Sequence, residues 1–376
     1  MKSKTAILGQ SWGDECKARL THSLSSRFDW VAKFNGGANC GATVYVDGKK
    51  YVHHLTPVID CTNPTTKGFL GAGMAIHPPA LLEELEMLEK DFPGYSKRLS
   101  VDPDAFAVMT AHIEEDKVKN AHIGTTNRGV GPAYTAKVDR RGTKIKKLLN
   151  SSNEYSDVLK KISQMGVQFR HSLELMNEFI DSRILFEGAQ SVMLDINHGN
   201  YPFVTSSDCT VSGIYSSGFN FIRVDRVIGV AKAYTTRVGN GPFPTELEGQ
   251  EAEDLRQKGG EYGASTGRPR RVGWLDIPQL RYAAVKGGIT SMTLAKLDIL
   301  NGMKSIPVCS EYHDGAPMSG SDFFDRKPHY VNLPGWKDAS SLDKNVMNFI
   351  SYVENAVGVP VDFISTGVGP KDLHRL

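Results

Sequence analysis

Short apolar, β-rich runs alternate with helical patterns along this chain, and this alternation constrains its fold more than any other feature. The runs are Thr5–Leu8, Trp30–Phe34, Thr43–Val46, Ile184–Phe186, Val227–Ala231, Ser291–Leu294, Ile306–Cys309 and Val361–Ile364. The clearest helical pattern is Pro78–Phe92, which places four leucines on one face. Further helices are predicted at Ser341–Val357 and within Asn153–Asp181. Strands alternating with helices favour an α/β fold with a largely parallel sheet.

Composition narrows the class of protein. A chain of 376 residues with 40% hydrophobic residues can bury a large core, and a net charge of +2 gives no global field toward nucleic acid or membranes. No apolar run approaches the roughly 20 residues needed to span a bilayer. The five cysteines are scattered and form no C-x-x-C pair, and Met1–Lys4 leads directly into a strand-like run. We therefore expect a cytoplasmic protein.

Two glycine-containing loops near the start of the chain are the first candidate site. Ser11–Arg19 follows a predicted strand, carries an acid and a lysine, and leads into a predicted helix from Lys17. Backbone N–H groups in such a turn, together with a helix N-terminus, bind phosphate. The loop does not follow the standard Walker pattern, so an ordinary strand–turn–helix junction remains the alternative. The second loop, Asn35–Thr43, is rich in Gly and Asn.

Four longer segments read as neither helix nor strand and are dense in Gly, Thr and Arg. They are Gly124–Arg141, Glu187–Gly213, Thr235–Glu246 and Glu261–Trp274. Long loops on a rigid scaffold commonly carry binding chemistry. We therefore expect these segments to be active-site loops.

Taken together, the loops resemble those of the adenylosuccinate synthetase family. The matching segments, in the family's order, are Trp12–Glu15, Gly124–Tyr134, Phe186–Gln190, Asp195–Gly199, Tyr201–Ser207, Lys232–Gly239, Gly241–Leu247, Gly263–Arg271 and Lys296–Asp298. The resemblance covers nearly the whole chain. It implies one α/β domain over residues 1–376, P-loop-NTPase-like, with a mostly parallel central sheet flanked by helices and with long active-site loops.

The resemblance also implies a reaction. The family joins L-aspartate to the 6-position of a purine nucleoside monophosphate through a 6-phosphoryl intermediate, driven by a nucleoside triphosphate. Asp14 matches the family's proton acceptor and Mg²⁺ ligand, and a carboxylate suits both roles. Its alternative role is a helix N-cap. Lys17 matches a catalytic lysine at the triphosphate, and the Gly41 carbonyl matches a second Mg²⁺ contact.

The remaining matches concern binding. For the monophosphate they are Asn39, Thr126, Arg140, Gln190 and Thr205. For aspartate they are Ser265, Thr266 and Arg268, where an arginine suits a carboxylate. For the triphosphate they are Gly13, Glu15, Lys17, Arg270, Lys296, Asp298, Ser365 and Gly367.

Arg140 matches an arginine that reaches the substrate phosphate of the other subunit, which implies a homodimer. Arg140 also belongs to the basic run Lys137–Lys147, and most such runs are solvated surface. Nucleic-acid binding through this run is weakly supported, because no aromatic residues are interleaved with the charges. We expect no nucleic-acid partner and no membrane partner.

Four departures from the family pattern bear on the substrate. Ala42 occupies the position of a family histidine that stabilises the transferring phosphoryl group, and losing one such donor can cost about 3 kcal/mol of barrier. Cys16 and Ala18 replace glycines of the phosphate loop, Arg19 replaces a lysine, and Asn127 replaces a glycine beside the substrate phosphate. The chain is also shorter than the usual bacterial enzyme.

These departures favour a specialised branch. Some bacteriophages carry a related synthetase that uses dGMP to begin a route to 2-aminoadenine, with ATP or dATP as donor. The sequence slightly favours membership of this dGMP-using branch, although the retained Asp14 counts against it. Membership would place the protein in the host cytoplasm. IMP with GTP is the alternative substrate pair. A catalytically silent nucleotide-binding regulator is the alternative of another class.

Overall fold

A computed structural model describes residues 2–119, 125–263 and 267–376 of the chain. Its strands up to the middle of the chain are β1 (Lys4–Gly9), β2 (Trp30–Lys33), β3 (Ala42–Val46), β4 (Lys49–His53), β5 (Lys67–Leu70), β6 (Ala75–Ile76), β7 (Leu99–Val101), β8 (Phe106–Ala107), β9 (Gln168–Phe169) and β10 (Ile184–Ser191). The later strands are β11 (Arg226–Lys232), β12 (Thr235–Arg237), β13 (Arg271–Gly273), β14 (Leu275–Asp276), β15 (Ser291–Ala295), β16 (Ser305–Tyr312), β17 (Pro328–Pro334), β18 (Val361–Ser365) and β19 (Leu373–Arg375).

The α-helices are interspersed among these strands. They are α1 (Lys17–Ser25), α2 (Pro78–Asp91), α3 (Thr110–Lys119), α4 (Val130–Val138), α5 (Ile145–Leu149), α6 (Glu154–Gln164), α7 (Met176–Ile180), α8 (Val211–Ser216), α9 (Gly249–Gly259), α10 (Ile277–Gly287) and α11 (Lys344–Val357). No helix among the described residues is long and apolar enough to cross a membrane.

The strand and helix predictions are confirmed, and local chemistry explains the boundaries. Each of the eight apolar runs falls on a strand. The predicted helix at 341–357 begins only at Lys344, because the Asp343 side chain caps it by accepting from two backbone N–H groups. It ends where Gly358 adopts a left-handed backbone. Its buried face is apolar, so the caps define the ends of the helix and packing of that face stabilises it.

The expectation that four long segments are neither helix nor strand is wrong in part. Strand β10 ends and α8 begins within residues 187–213, β12 and β13 lie within residues 235–246 and 261–274, and α4 lies within residues 124–141. Gly129 takes a left-handed backbone with φ of 72° and starts the helix. Two glycines and a proline lie near the start of α4, so sequence propensity there is poor. The helix instead forms through packing, as Val130 and Ala133 are buried against Ala75 and Val108.

The largest sheet of the described residues has ten strands in the order β19-β18-β15-β11-β1-β10-β2-β5-β7-β9. Neighbours such as β10 and β2, β2 and β5, and β11 and β15 run parallel. The edge strand β19 runs antiparallel to β18. The predicted α/β class with a mostly parallel sheet is confirmed.

By contact density the chain divides into two units. Residues 1–7, 18–189 and 205–225 form the first unit, and residues 8–17, 190–204 and 226–376 form the second. The first unit has an aromatic core in which Phe69, Phe179 and Phe219 lie with ring centroids 5.2 to 5.7 Å apart. The second has a core around Trp12, packed with Phe243 and Phe323. The one-domain organisation over residues 1–376 stays a prediction.

Candidate active site

The first loop, residues 11–17, has the strand–turn–helix form that the sequence predicts. It follows β1 and ends where α1 begins at Lys17. Gly13, Asp14 and Cys16 all have positive φ, at 93°, 60° and 70°. Cys16 thus keeps the left-handed backbone expected of the glycine it replaces, at some conformational cost. Such turns point backbone N–H groups outward and suit an anion.

Glu15 organises this loop from within. Its buried carboxylate accepts hydrogen bonds from the N–H groups of Ser11 at 3.1 Å and Gly13 at 2.8 Å, and from the Ser191 hydroxyl at 2.6 Å. The Lys17 ammonium lies 2.7 Å away. Burial disfavours the charged carboxylate, but Lys17 and the hydrogen bonds outweigh it and hold the pKa of Glu15 below its ordinary value. Glu15 therefore fixes the loop and orients Lys17.

Gly9, at the end of β1, is required by close contacts. A Cβ atom there would lie 2.1 Å from the Ser191 Oγ atom, 2.6 Å from a Glu15 carboxylate oxygen and 2.7 Å from the Lys17 Nζ atom. A larger residue here would displace the ends of these three side chains and so disturb the Glu15–Lys17 pair.

Asp14 lies at the outer side of the loop and forms an ion pair. Its Oδ2 atom is 2.7 Å from the Nε atom of Arg270, and about a third of its side chain, 35%, is exposed. Arg270 also donates from Nη1 to Glu261 at 2.7 Å. Burial alone would lower the pKa of Arg270, but Asp14 and Glu261 raise it. The structure therefore brings together two residues, Asp14 and Arg270, that the sequence assigns to the site.

Glu261 is the centre of this network, and sequence reasoning missed it. It is fully buried and accepts from Lys232 at 2.8 Å, from Lys296 at 2.7 Å and from the Tyr234 hydroxyl. Burial opposes its ionisation, yet Lys232 and Lys296 hold the pKa of Glu261 far below its ordinary value. The available sequence signal was its place at the start of the arginine-rich segment Glu261–Trp274.

Further residues that the sequence assigns to the triphosphate follow from Lys296, which belongs to this network. The Lys296 backbone N–H donates to the Ser365 hydroxyl at 2.9 Å, and its ammonium donates to the Gly259 carbonyl at 2.7 Å. Asp298 lies in the 3-10 turn that follows Lys296. Gly367 is packed tightly, since a Cβ atom there would lie 2.6 Å from Asp372.

Arg237 packs against Trp12 of the first loop, and it was not identified as a site residue from the sequence. It is fully buried, donates to Asn200 at 3.0 Å and to the Pro242 carbonyl at 2.9 Å, and its guanidinium lies 5.3 Å from the Trp12 ring centroid. Trp12 donates its indole N–H to the same Asn200 side chain. Burial lowers the pKa of Arg237 to about 9. The Trp12–Asn200–Arg237 contacts fix the base of the loop.

The predicted aspartate-binding group is only partly described. Ser265 and Thr266 lie outside the described residues. Arg268 is exposed, and its backbone carbonyl accepts from Gly263 at 2.8 Å. In the same unit, Gln190 has φ of 54°, and its buried Oε1 atom has no hydrogen-bond donor among the described residues.

The second loop, residues 35–43, belongs to the first unit and is held by the Asn35 side chain together with backbone contacts. The Asn35 amide donates to the Asp208 carbonyl at 2.8 Å and accepts from the Ala189 N–H at 2.9 Å. A Cβ atom on Gly37 would lie 2.4 Å from the Ala75 carbonyl oxygen. Asn39 differs from Asn35, because its buried Oδ1 atom meets no donor in the described part of the chain. An orphaned buried acceptor suits a ligand that donates.

Two histidines lie beside the position where the family histidine is missing. Ala42 begins β3 and pairs with His53 of β4. His53 is fully buried, and burial lowers its pKa to about 3, so its imidazole stays neutral. The neighbouring His54 hydrogen-bonds through Nδ1 to the Cys40 carbonyl, next to the exposed Gly41. His54 therefore anchors the part of the loop that carries Gly41.

The other predicted monophosphate contacts are more exposed. Thr126 and Arg140 are exposed, and Thr205 is half-buried. Asn127 has φ of 55°, the left-handed backbone expected for the glycine it replaces. The basic run containing Arg140 is partly neutralised, since Lys144 and Lys146 both pair with Asp104, at 2.9 and 2.7 Å.

Each unit carries an oxygen donor that the sequence assigns to Mg²⁺. The Asp14 carboxylate in the second unit and the Gly41 carbonyl in the first unit are hard ligands of the kind that Mg²⁺ takes when phosphates and water complete its shell. A separate group in the first unit, Asp102, Asp104 and His171, also has ligand atoms within 4.8 Å of one another. Asp104 there is already neutralised by two lysines, which disfavours a cation.

Comparison with known proteins extends these observations. The family model for adenylosuccinate synthetase matches residues 6–177 and 151–374. The adenylosuccinate synthetase of Petrotoga mobilis is 44% identical over 402 residues, covering 97% of this chain and 95% of the relative. A fully ligated adenylosuccinate synthetase from Plasmodium falciparum superposes with a TM-score of 0.89 at 32% identity, covering 100% of both chains.

The succinoaminodeoxyadenylate synthetase of cyanophage S-2L, bound to dGMP and dATP, shares the fold more distantly. Its TM-score is 0.73 at 22% identity, covering 100% of this chain and 95% of the phage chain. The Petrotoga mobilis relative thus covers 97% of this chain and the Plasmodium falciparum structure covers 100% of it. The chain belongs to the adenylosuccinate synthetase family and is a C–N bond-forming ligase of that type.

Proposed function

We propose that this ligase condenses L-aspartate with IMP, using GTP as the phosphoryl donor, to give adenylosuccinate. The observation that carries the proposal is the Asp14 carboxylate, presented by a left-handed turn and held by Arg270 at 2.7 Å. A carboxylate at this position suits removal of the purine N1 proton. The similarity to adenylosuccinate synthetases over 97% of the chain supports the same substrate pair.

The chemistry proceeds in two steps. Asp14 accepts the N1 proton, so that negative charge develops on the 6-oxygen, which attacks the γ-phosphorus. The new O–P bond forms as the bond to the bridging oxygen breaks and the nucleoside diphosphate leaves. The aspartate amine then displaces phosphate from C6, losing a proton as the C–N bond forms. Lys17, oriented by Glu15, stabilises charge on the transferring group.

Mg²⁺ fits this scheme as the resident cation. Asp14 and the Gly41 carbonyl would hold it together with the phosphates of the donor. When bound, Mg²⁺ neutralises charge on the triphosphate. The Asp14–Arg270 ion pair must loosen for Asp14 to serve in this role.

Orphaned acceptors support binding of the monophosphate. The buried Oδ1 atom of Asn39 and the buried Oε1 atom of Gln190 each meet no donor among the described residues. Base N–H and ribose hydroxyl groups are donors of the required kind. Thr126, Thr205 and Arg140 would bind the phosphate, and Arg268, with Ser265 and Thr266, would bind the carboxylates of aspartate.

A second substrate, dGMP with ATP or dATP, is favoured by specific departures. Ala42 supplies no imidazole, and Cys16 puts a side chain where glycine is expected in the phosphate loop. Guanine carries the same N1–H and 6-oxygen as hypoxanthine, so the chemistry is unchanged. We rank dGMP second because Asp14 is retained and the 44% identical relative from Petrotoga mobilis is an adenylosuccinate synthetase.

A substrate matrix tests the proposal. The protein is incubated with Mg²⁺, aspartate and each pairing of IMP or dGMP with GTP, ATP or dATP, and the succinylated product is quantified. We expect the highest kcat/KM for IMP with GTP. A higher kcat/KM for dGMP would establish the second candidate instead. Nucleotide binding without product from any pairing would favour a silent regulator.

We further propose a cytoplasmic homodimer in which Arg140 acts on the partner's site. Mixing the Asp14→Asn and Arg140→Ala variants should restore about a quarter of wild-type activity, because half of the dimers are hybrids with one intact site each. Arg140 is exposed, as this role requires. Failure to complement, or a monomer by light scattering, would contradict the shared site.

A further inference from the structure

One buried carboxylate in the second unit gathers three cations. Glu261 contacts Lys232, Lys296 and Arg270 at 2.7 to 2.8 Å and is itself fully buried. We propose that Glu261 is a positioning residue that preforms the binding site of the nucleoside triphosphate by fixing the Arg270 guanidinium and the Lys296 ammonium. This inference rests on the proposed function, which assigns Arg270 and Lys296 to that nucleotide.

Burial excludes direct contact between Glu261 and a ligand. Its four hydrogen-bond donors, including the Tyr234 hydroxyl, occupy the carboxylate, and its exposed fraction is 0%. The side chain therefore acts only through the groups that it holds. By contrast, 22% of the Lys296 side chain and 12% of the Arg270 side chain are exposed. Lys296 and Arg270 are thus accessible to a ligand, whereas the Glu261 carboxylate that holds them is not.

The backbone makes this arrangement rigid. Glu261 follows α9, and its N–H donates to the Arg256 carbonyl at 2.9 Å. The Arg270 N–H donates to the Glu261 carbonyl at 2.9 Å, so these two residues are joined by both backbone and side chains. A bridge between Tyr262 and Pro269 closes the same loop. Glu261 and Arg270 therefore clamp the base of the loop that carries Arg268.

Charge in the network favours an anionic ligand. Lys232, Lys296 and Arg270 contribute three positive charges, whereas Glu261 and Asp14 contribute two negative ones. The Nε atom of Arg270 is buried and lacks a well-aligned acceptor among the described residues, although Asp14 lies 2.7 Å away. An incoming oxyanion would supply both the missing charge and the missing acceptor.

Glu261→Gln is the direct test, because it keeps the shape of the side chain and removes its charge. We expect the Kd of the Mg²⁺ complex of GTP, measured by calorimetry, to rise at least about tenfold, since the uncompensated cations separate. The KM values for aspartate and the monophosphate should change less than about threefold. An unchanged Kd for GTP would overturn the proposal.

Glu246→Gln is the matched control. Glu246 also pairs with an arginine, the neighbouring Arg271, but about 30% of each of these side chains is exposed. Because exposed ion pairs contribute little, this variant should bind GTP as the wild type does. An equal loss in both variants would show a general charge effect and would contradict a specific role of Glu261.

A double variant separates positioning from stability. Glu261→Gln leaves Lys232 buried without its carboxylate, so the Tm should fall, and adding Lys232→Met removes that unpaired charge. We expect the double variant to recover Tm but not GTP affinity. Recovery of both would assign Glu261 a structural role only. If Glu261→Gln fails to fold, the double variant carries the measurement.

The outcome also distinguishes this inference from the proposed function. A wild type that binds GTP but forms no product would overturn the proposed function and leave the binding comparison intact. If the wild type forms product while Glu261→Gln binds GTP equally well, only the positioning role fails.

Discussion

The two glycine-containing loops are held in opposite ways. In the first loop, the Glu15 side chain binds two backbone N–H groups, a hydroxyl and Lys17, and Asp14 is paired with Arg270. In the second loop, the neutral Asn35 amide bonds the neighbouring backbone, and the side-chain Oδ1 atom of Asn39 meets no donor among the described residues. The loop that carries charge is already organised, whereas the loop that carries amides leaves a group for the ligand to satisfy.

This difference has a physical reason. Charged groups near a site of phosphoryl transfer need fixed partners, because reorganising them during the reaction raises the barrier. A neutral amide left unpaired costs about 1 to 3 kcal/mol, which ligand binding can recover as affinity. The first loop is therefore suited to a high rate of phosphoryl transfer, and the second loop is suited to binding of the ligand.

The largest expected effect concerns Asp14. Asp14→Asn should lower kcat about a thousandfold, because the amide cannot accept the N1 proton. The fold should be unaffected, since Arg270 keeps its second partner, Glu261. Steady-state kinetics and thermal melting measure both. The control is Asp47→Asn, an exposed aspartate that also has positive φ, at 49°. Equal activity of the two variants would contradict the role of Asp14.

Removing Glu15 should collapse the organised loop. Glu15→Ala leaves the Lys17 ammonium and two backbone N–H groups without their acceptor, and we expect a loss of about 3 to 5 kcal/mol in the free energy of unfolding. Urea denaturation gives this value. Glu86→Ala, at an exposed position on α2, should change stability by less than about 0.5 kcal/mol.

For Asn39 in the second loop we expect the opposite result to that for Glu15, a loss of substrate affinity without a loss of stability. Asn39→Ala should leave stability within about 0.5 kcal/mol of the wild type and raise the monophosphate KM about tenfold, because its Oδ1 atom has no donor among the described residues and the proposed ligand would supply one. Asn35→Ala is the matched contrast, since its amide is satisfied internally. Asn35→Ala should chiefly lower stability. A stability loss in Asn39→Ala with unchanged KM would refute the distinction.

The smallest expected effect, taken over a single pH unit, is a pH dependence of stability at Asp276. Asp276 caps α10 through the Gln279 N–H, and the Gln279 side chain bonds Gln10 and Ser11. Burial raises the pKa of Asp276 to about 7. The folded state then binds this proton more tightly than the unfolded chain, so its contribution is present at acid pH. It falls as pH rises from about 4 through about 7, by at most about 1.4 kcal/mol per unit.

Denaturation of the wild type and of Asp276→Asn at several pH values measures this contribution as the difference between the two profiles. His53 contributes with the opposite sign, because burial lowers its pKa from 6.5 to about 3 in the folded protein and the unfolded chain therefore binds the proton more tightly in this range. Identical profiles for the wild type and Asp276→Asn would assign the pH dependence to other groups.

Much of the fold was predictable because periodicity is local. The spacing of leucines in α2 and the apolar run of β10 are set within a few residues, and both elements lie where predicted. Helix α4 was missed because its sequence disfavours a helix and its formation depends on contacts with Ala75 and Val108. The positions of the loops were predicted, but their internal bonding was not.

The sequence by itself determined the order of elements, the family and the residue types that the reaction needs, because those depend on pattern and composition along the chain. Only the tertiary structure decided the pairing of Asp14 with Arg270, the burial of Glu261 among three cations and the open acceptor of Asn39. These properties arise where distant segments meet, and the free energy of a buried charge or amide depends on its neighbours in space.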